Sequence, residues 1–184
     1  MGCGTALPIL YLLQRLLEAP TPENSEVTTL HLQDYNLSVL QLVTLPNLVL
    51  ATIPPSHFDQ EQDDLDISPE IIEIFKTRLQ EHKIRFEFSY GPWEGLAARL
   101  QRGNIQHDLI LTAETIYRED SVTSLLDVLR HGSTSHGPAP TSEIRDLNDL
   151  DKLDLSVKWP ENETVILVAA KVSTTQKLCH IFAT

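Results

Sequence analysis

Apolar positions along this chain switch repeatedly between a helical and an extended period. Residues 6–18 read ALPILYLLQRLLE, apolar round most of a helical circumference, so they predict a helix that other structure must cover, ending before Pro20 and Pro22. Residues 27–32 are β-branched and partly alternating, the mark of a strand, and 36–45 predict a short helix ended by Pro46. Ser68 before Pro69 and Glu70 gives an N-cap with proline at the first helical position. Ile71, Ile72, Phe75 and Leu79 then carry an apolar stripe to about His82. Ile84, Phe86, Phe88 and Tyr90 alternate with Arg85, Glu87 and Ser89, a strand with one drier face, as expected near a sheet edge. Residues 109–111 and 165–170 are unbroken apolar runs, which suits parallel strands covered on both faces and places them at a sheet's centre. A helix over 120–130 separates them.

Strands alternating with helices argue for an α/β layered sheet within one domain spanning 1–184. Two stretches do not fit a core. Residues 51–68 hold Pro54, Pro55 and the acidic run from Asp59 to Asp66, and 132–163 hold Gly132, Gly137, Pro138, Pro140 and many aspartates. Both are expected to be polar insertions, the second with room for a helical turn or two at 144–155. No internal repeat is present.

Composition narrows the function classes. A 41% hydrophobic content with 22% charged residues supports a real core. With 26 acidic residues against 14 Lys plus Arg, the net charge of -12 opposes a phosphate backbone and favours a basic partner, although many acidic proteins carry such a charge simply for solubility. Cys3 and Cys179 show no paired spacing, so a reducing compartment is expected. The apolar run 7–17 is short, broken by Gln14 and Arg15 and preceded by no basic segment, which fits neither a membrane span nor a signal peptide. Cytoplasm and nucleus are the expected locations. Seven histidines lack metal-ligand spacing, and no metal is expected.

Four places could carry chemistry. Gly2 and Gly4 open the first helix, where glycine lets backbone N–H groups approach a ligand, or simply makes a turn. Asp34 closes a strand and could accept the hydroxyls of a ribose or cap the next helix. Trp93 follows Gly91-Pro92, where an indole either stacks on a base or plugs a sheet edge. Glu114 and Tyr117 follow a buried strand; a carboxylate and a phenol there either orient a substrate or serve the structure, with Glu114 paired to Arg118 or capping a helix.

Taken in order, Gly-Cys-Gly-Thr-Ala-Leu-Pro at 2–8, Gln-Asp-Tyr-Asn at 33–36, Val-Thr-Leu-Pro-Asn at 43–47, Leu-Thr-Ala-Glu-Thr-Ile-Tyr at 111–117 and Leu-Val-Ala-Ala-Lys at 167–171 resemble the protein-histidine methyltransferases. These are seven-strand S-adenosylmethionine enzymes. The resemblance runs from Gly2 to about Val172, the two insertions excepted. It implies a Rossmann-like methyltransferase sheet with helices on both faces, and S-adenosyl-L-methionine as cofactor. It implies that Gly2 and Gly4 line the methionine end, Asp34 holds the ribose and Trp93 flanks the adenine, with Cys3, Tyr35 and Thr112 also on the cofactor side. Glu114, Thr115 and Tyr117 would face the incoming histidine, which would belong to a large-subunit ribosomal protein, a basic partner. The family begins with a strand ahead of the glycine loop, lying between those that end at Asp34 and Glu114. Here Met1 alone precedes Gly2, so that first strand is expected to be missing and its two neighbours to lack a ladder partner. After Lys171 the sequence departs from the family, which leaves the final strands undefined. The alternatives are an inactive truncated remnant that binds a basic partner, or a protein-lysine methyltransferase of the same superfamily.

Overall fold

A computed structural model of the chain describes residues 1–58, 67–113, 115, 119–133, 164–172 and 176–183, of which 119–121, 168–172 and 176–183 are described by their backbone. The insertion centred on 59–66 and the loop from 134 to 163 lie outside the described residues, as do Glu114 and Tyr117. The chain divides into two compact units, Cys3–Tyr90 and Met1–Gly2 with Gly91–Thr184.

In the first unit, helix α1 (Leu7–Glu18) lays Leu13 and Leu17 against Leu30 and Leu32 of strand β1 (Thr28–Asp34). Helix α4 (Pro69–Glu81) and strand β2 (Ile84–Tyr90) add Leu79 and Ile84 to the same core. The Ser68 hydroxyl accepts from the Ile71 amide, so the predicted cap starts α4 at Pro69. β1 and β2 run parallel from Thr28 opposite Ile84 to Asp34 opposite Tyr90. The drier face expected of β2 holds at Ile84 and Phe86, whereas Phe88 and Tyr90 are 39% and 65% exposed.

The helix after β1 departs from expectation. Pro46 does not end it: one helical path runs through α2 (Leu37–Val39), a wide π turn (Leu40–Thr44) and α3 (Leu45–Thr52). Proline has no N–H, and its ring excludes the carbonyl one turn back. Widening the preceding turn, so that the Leu45 amide reaches the Leu40 carbonyl, relieves that clash without stopping the helix. The stretch read as an insertion from residue 51 also starts within structure, since Ile53 is buried and Phe58 packs on Val49, Ile53 and Ile71.

The second unit contains a helix not anticipated from the sequence, α5 (Trp93–Gly103), closed by Asn104 in a left-handed conformation. It pairs with α6 (Glu119–Gly132), burying Leu96, Ala97, Leu100 and Val128. Strand β3 (Leu109–Ala113) runs parallel to β4 (Val165–Val172), and β5 (Gln176–Ala183) runs antiparallel to β4 on its other side. Among the described residues only β4 is therefore central; β3, expected there too, has a strand on one side. The same holds for β1, so the strands expected to lack a neighbour each pair once among the described residues. On β1 the Thr28 amide bonds the Lys83 carbonyl, which turns residues 29, 31 and 33 to the other edge. There the Gln33 carbonyl accepts from the Cys3 amide at 3.0 Å. On β3 the Asp108 carbonyl takes the Val165 amide, and the Leu111 carbonyl on the opposite edge accepts from the Met1 amino nitrogen at 2.7 Å.

Candidate functional site

In the Cys3–Tyr90 unit the glycine loop and the end of β1 meet directly. The Gly4 amide donates to Asp34 Oδ2 at 3.1 Å, and the Asn36 amide donates to Asp34 Oδ1 at 3.1 Å. The carboxylate thus closes a turn over its own strand end and fixes the loop. An ionised carboxylate accepts about four hydrogen bonds, so two backbone donors leave capacity for ligand hydroxyls. Gly4 has φ +47, and a Cβ there would meet nothing within 4 Å, so the loop has an open face at this position. Ala6, at φ 62, is buried at the mouth of α1, where its amide bonds the Cys3 carbonyl. Tyr35, next to Asp34, is 68% exposed.

Cys3 is half-buried with its Sγ 3.6 Å from Thr44 Oγ1. Burial pushes its thiol above the ordinary value, opposed by the Thr44 contact and reinforced by the Asp34 charge. Thr44 and Asn47 are residues whose part in this site the sequence did not reveal. Thr44 Oγ1 donates to the Gly4 carbonyl at 2.6 Å, and Asn47 Nδ2 donates to the Thr5 carbonyl at 3.0 Å. The available signal was the segment Val43-Thr44-Leu45-Pro46-Asn47 itself, which sets a threonine two residues before a proline.

In the other unit, Gly2 has φ +59, and a Cβ would stand 2.8 Å from Thr115 Cγ2. Only glycine fits that approach. Thr115 and Thr112 are both buried and share a hydrogen bond of 2.7 Å at the end of β3. Trp93 opens α5, and its ring packs on the cluster of Leu96, Ala97, Leu100 and Val128. That is the packing use of a tryptophan. A groove of about 420 Å³ beside α4, lined by Pro54, His57, Glu70, Ile74 and Arg78 among others, includes none of these residues.

The described residues therefore gather into two partial constellations: Cys3, Gly4, Asp34, Thr44 and Asn47 in one unit, and Gly2, Thr112 and Thr115 in the other. The chain is similar to proteins named "Histidine protein methyltransferase 1". It is 36% identical over 135 residues to that of Schizosaccharomyces pombe, covering 70% of this chain and 38% of the relative. To that of Saccharomyces cerevisiae it is 29% identical over 149 residues, with the same shares. A homologue of that name in Bos taurus is 28% identical over 123 residues, 65% of this chain and 29% of its own. The chain thus spans well under half the length of these relatives. No family model and no solved structure matches it.

Proposed function

From the premise that this chain belongs to the histidine protein methyltransferase family, we propose that it binds S-adenosyl-L-methionine and serves methyl transfer to a histidine nitrogen of a basic, ribosomal protein. The observation that carries the cofactor half is the Asp34 carboxylate fastened to the Gly4 amide. A nucleoside needs an acceptor for its paired ribose hydroxyls beside a loop its backbone can approach, at the carboxyl end of a parallel strand. Asp34 and Gly4 supply both, and the open face at Gly4 leaves the room. The Rossmann-like arrangement is part of this proposal, supported by the parallel β1–β2 and β3–β4 pairs.

The cofactor supplies an electrophilic methyl on a sulfonium. What remains for the protein is positioning. Asp34 holds the ribose and Gly4 lines the methionine end of the cofactor, with Cys3 and Tyr35 beside them in sequence. At the end of β3, Thr112 and Thr115 stand next to Glu114 and Tyr117 in sequence, and we assign Glu114, Thr115 and Tyr117 to the incoming imidazole. With an unperturbed pKa of about 6.5, histidine is already mostly neutral at cytosolic pH, so a strong general base is unnecessary. Holding the ring nitrogen within about 3 to 3.5 Å of the methyl is the larger contribution. The net charge of -12 suits a basic substrate, and cytoplasm and nucleus are the compartments this reading assigns.

Calorimetric titration of the 184-residue chain with S-adenosylhomocysteine tests the cofactor half. Binding is expected, and Asp34→Ala should abolish it. Transfer of a labelled methyl into a ribosomal extract tests the substrate half, with the mark expected on histidine of one protein. A mark on lysine would overturn the histidine assignment, and no heat with the nucleoside would overturn the cofactor assignment.

A further inference from the structure

The segment Val43-Thr44-Leu45-Pro46-Asn47 has no part in the cofactor and substrate assignments, yet it touches the glycine loop twice. We propose that Thr44, at the end of the π turn ahead of Pro46, and Asn47, in α3 just after it, are positioning residues that set the orientation of the loop peptides at Gly4 and Thr5; this rests on the loop being a cofactor loop.

The physical chain begins with proline. Because Pro46 cannot accept a normal α turn before it, residues 40–44 widen, and the Leu45 amide bonds the carbonyl of Leu40 instead of that of Gln41. An extra residue in one turn advances everything after it by about 100° relative to an unbroken helix. Thr44, fully buried, then donates to the Gly4 carbonyl at 2.6 Å, and Asn47, three residues on and on the same side, donates to the Thr5 carbonyl at 3.0 Å. In a planar trans peptide the carbonyl and the following N–H point in opposite directions. Holding the Gly4 carbonyl therefore aims the Thr5 N–H away from Thr44, and holding the Thr5 carbonyl fixes the next plane. Asp34 secures the same loop from its other end through the Gly4 amide. Three side chains, from the π turn, α3 and β1, thus define successive peptide planes in a segment that contains a positive-φ glycine, the backbone type with most freedom to lose.

Thr44→Val keeps the shape and removes the donor, whereas Thr44→Ser keeps the donor. In the unliganded full chain, hydrogen exchange at the amides of residues 4–6 should quicken in T44V and return to the unaltered rate in T44S. Affinity for S-adenosylhomocysteine should fall about fivefold to tenfold in T44V, the worth of one net hydrogen bond, and recover in T44S. N47A should act in the same direction. Unchanged exchange in T44V, or unchanged affinity where the unaltered chain binds, overturns the inference while leaving the cofactor reading intact. A chain that binds no nucleoside overturns the cofactor reading, and the exchange result then still decides whether Thr44 orients the loop. Loss in T44S with none in T44V would mean that Thr44 only fills space, and equal loss in both would mean that the hydroxyl donor alone does not orient the loop; either result overturns the inference.

Discussion

Gly2 and Gly4 look alike in the sequence but are held by different constraints. Both adopt positive φ, which costs a residue with a Cβ about 1–2 kcal/mol. At Gly4 that is the whole penalty, since a Cβ would enter open space. At Gly2 the same Cβ would also collide with Thr115 Cγ2 at 2.8 Å. Gly2→Ala is therefore expected to destabilise the protein more than Gly4→Ala, measurable as a larger fall in the denaturant midpoint; equal shifts would show that Thr115 moves aside freely. Cys3 gives a second prediction at this scale. Its thiol is raised chiefly by burial, so the folded state favours the neutral form. The stability this contributes is complete below the thiol's ordinary value of 9.0 and is lost as pH rises through the higher folded value. In a Cys179→Ser background, alkylation of Cys3 should be slower than that of a free thiol at the same pH, because less thiolate is present.

Among the elements, the interrupted helix over 37–52 is the informative one. Replacing Pro46 with Ala restores an N–H and removes a residue about 3 kcal/mol unfavourable in a helix interior. A regular helix could then form, and Thr44 and Asn47 would rotate off the loop. Pro46→Ala is expected to raise the melting temperature while lowering affinity for S-adenosylhomocysteine several-fold; a variant that is both more stable and equally tight would show that the wide turn survives without proline. The same helix shows where sequence reading fails. Proline predicts a helix end because it removes one hydrogen bond, but a π turn can absorb the defect, and no local pattern announces that. β2 and α4 are legible because their caps and periods are strong, as at Ser68 and in the alternation from Ile84. α5 carries the stripe Trp93, Leu96, Ala97 and Leu100, but Gly95 and a short apolar content hide it beside Pro92. That, among the described residues, β4 and not β3 is flanked on both sides could not be read, since a continuous apolar run reports burial and not which neighbour supplies it.

For the chain as a whole, part of the proposed site is written in residue types and part is not. Asp34 and Gly4 are recognisable because a carboxylate at a strand end and a glycine at a helix start are local signals, and the structure joins them. Thr44 is invisible to such signals because its role depends on a turn geometry and on a partner 40 residues away in sequence. The net charge of -12 belongs to this scale too, since no single contact expresses it. A field of that sign draws a basic protein towards the surface before any contact forms, which raises the encounter rate and leaves dissociation to the short-range contacts. The Debye length shrinks from about 30 Å at about 0.01 M salt to about 8 Å at about 0.15 M, so steering should fade over that range. Association with a basic ribosomal protein, followed by stopped-flow fluorescence, is expected to slow by about tenfold or more across it, with dissociation changing far less. Charge-reversing the exposed pair Glu70→Lys and Glu73→Lys should slow association at low salt and converge with the unaltered chain at high salt. If the rate is flat in salt while binding persists, capture is governed by apolar contact, and the acidic composition serves solubility instead of substrate choice.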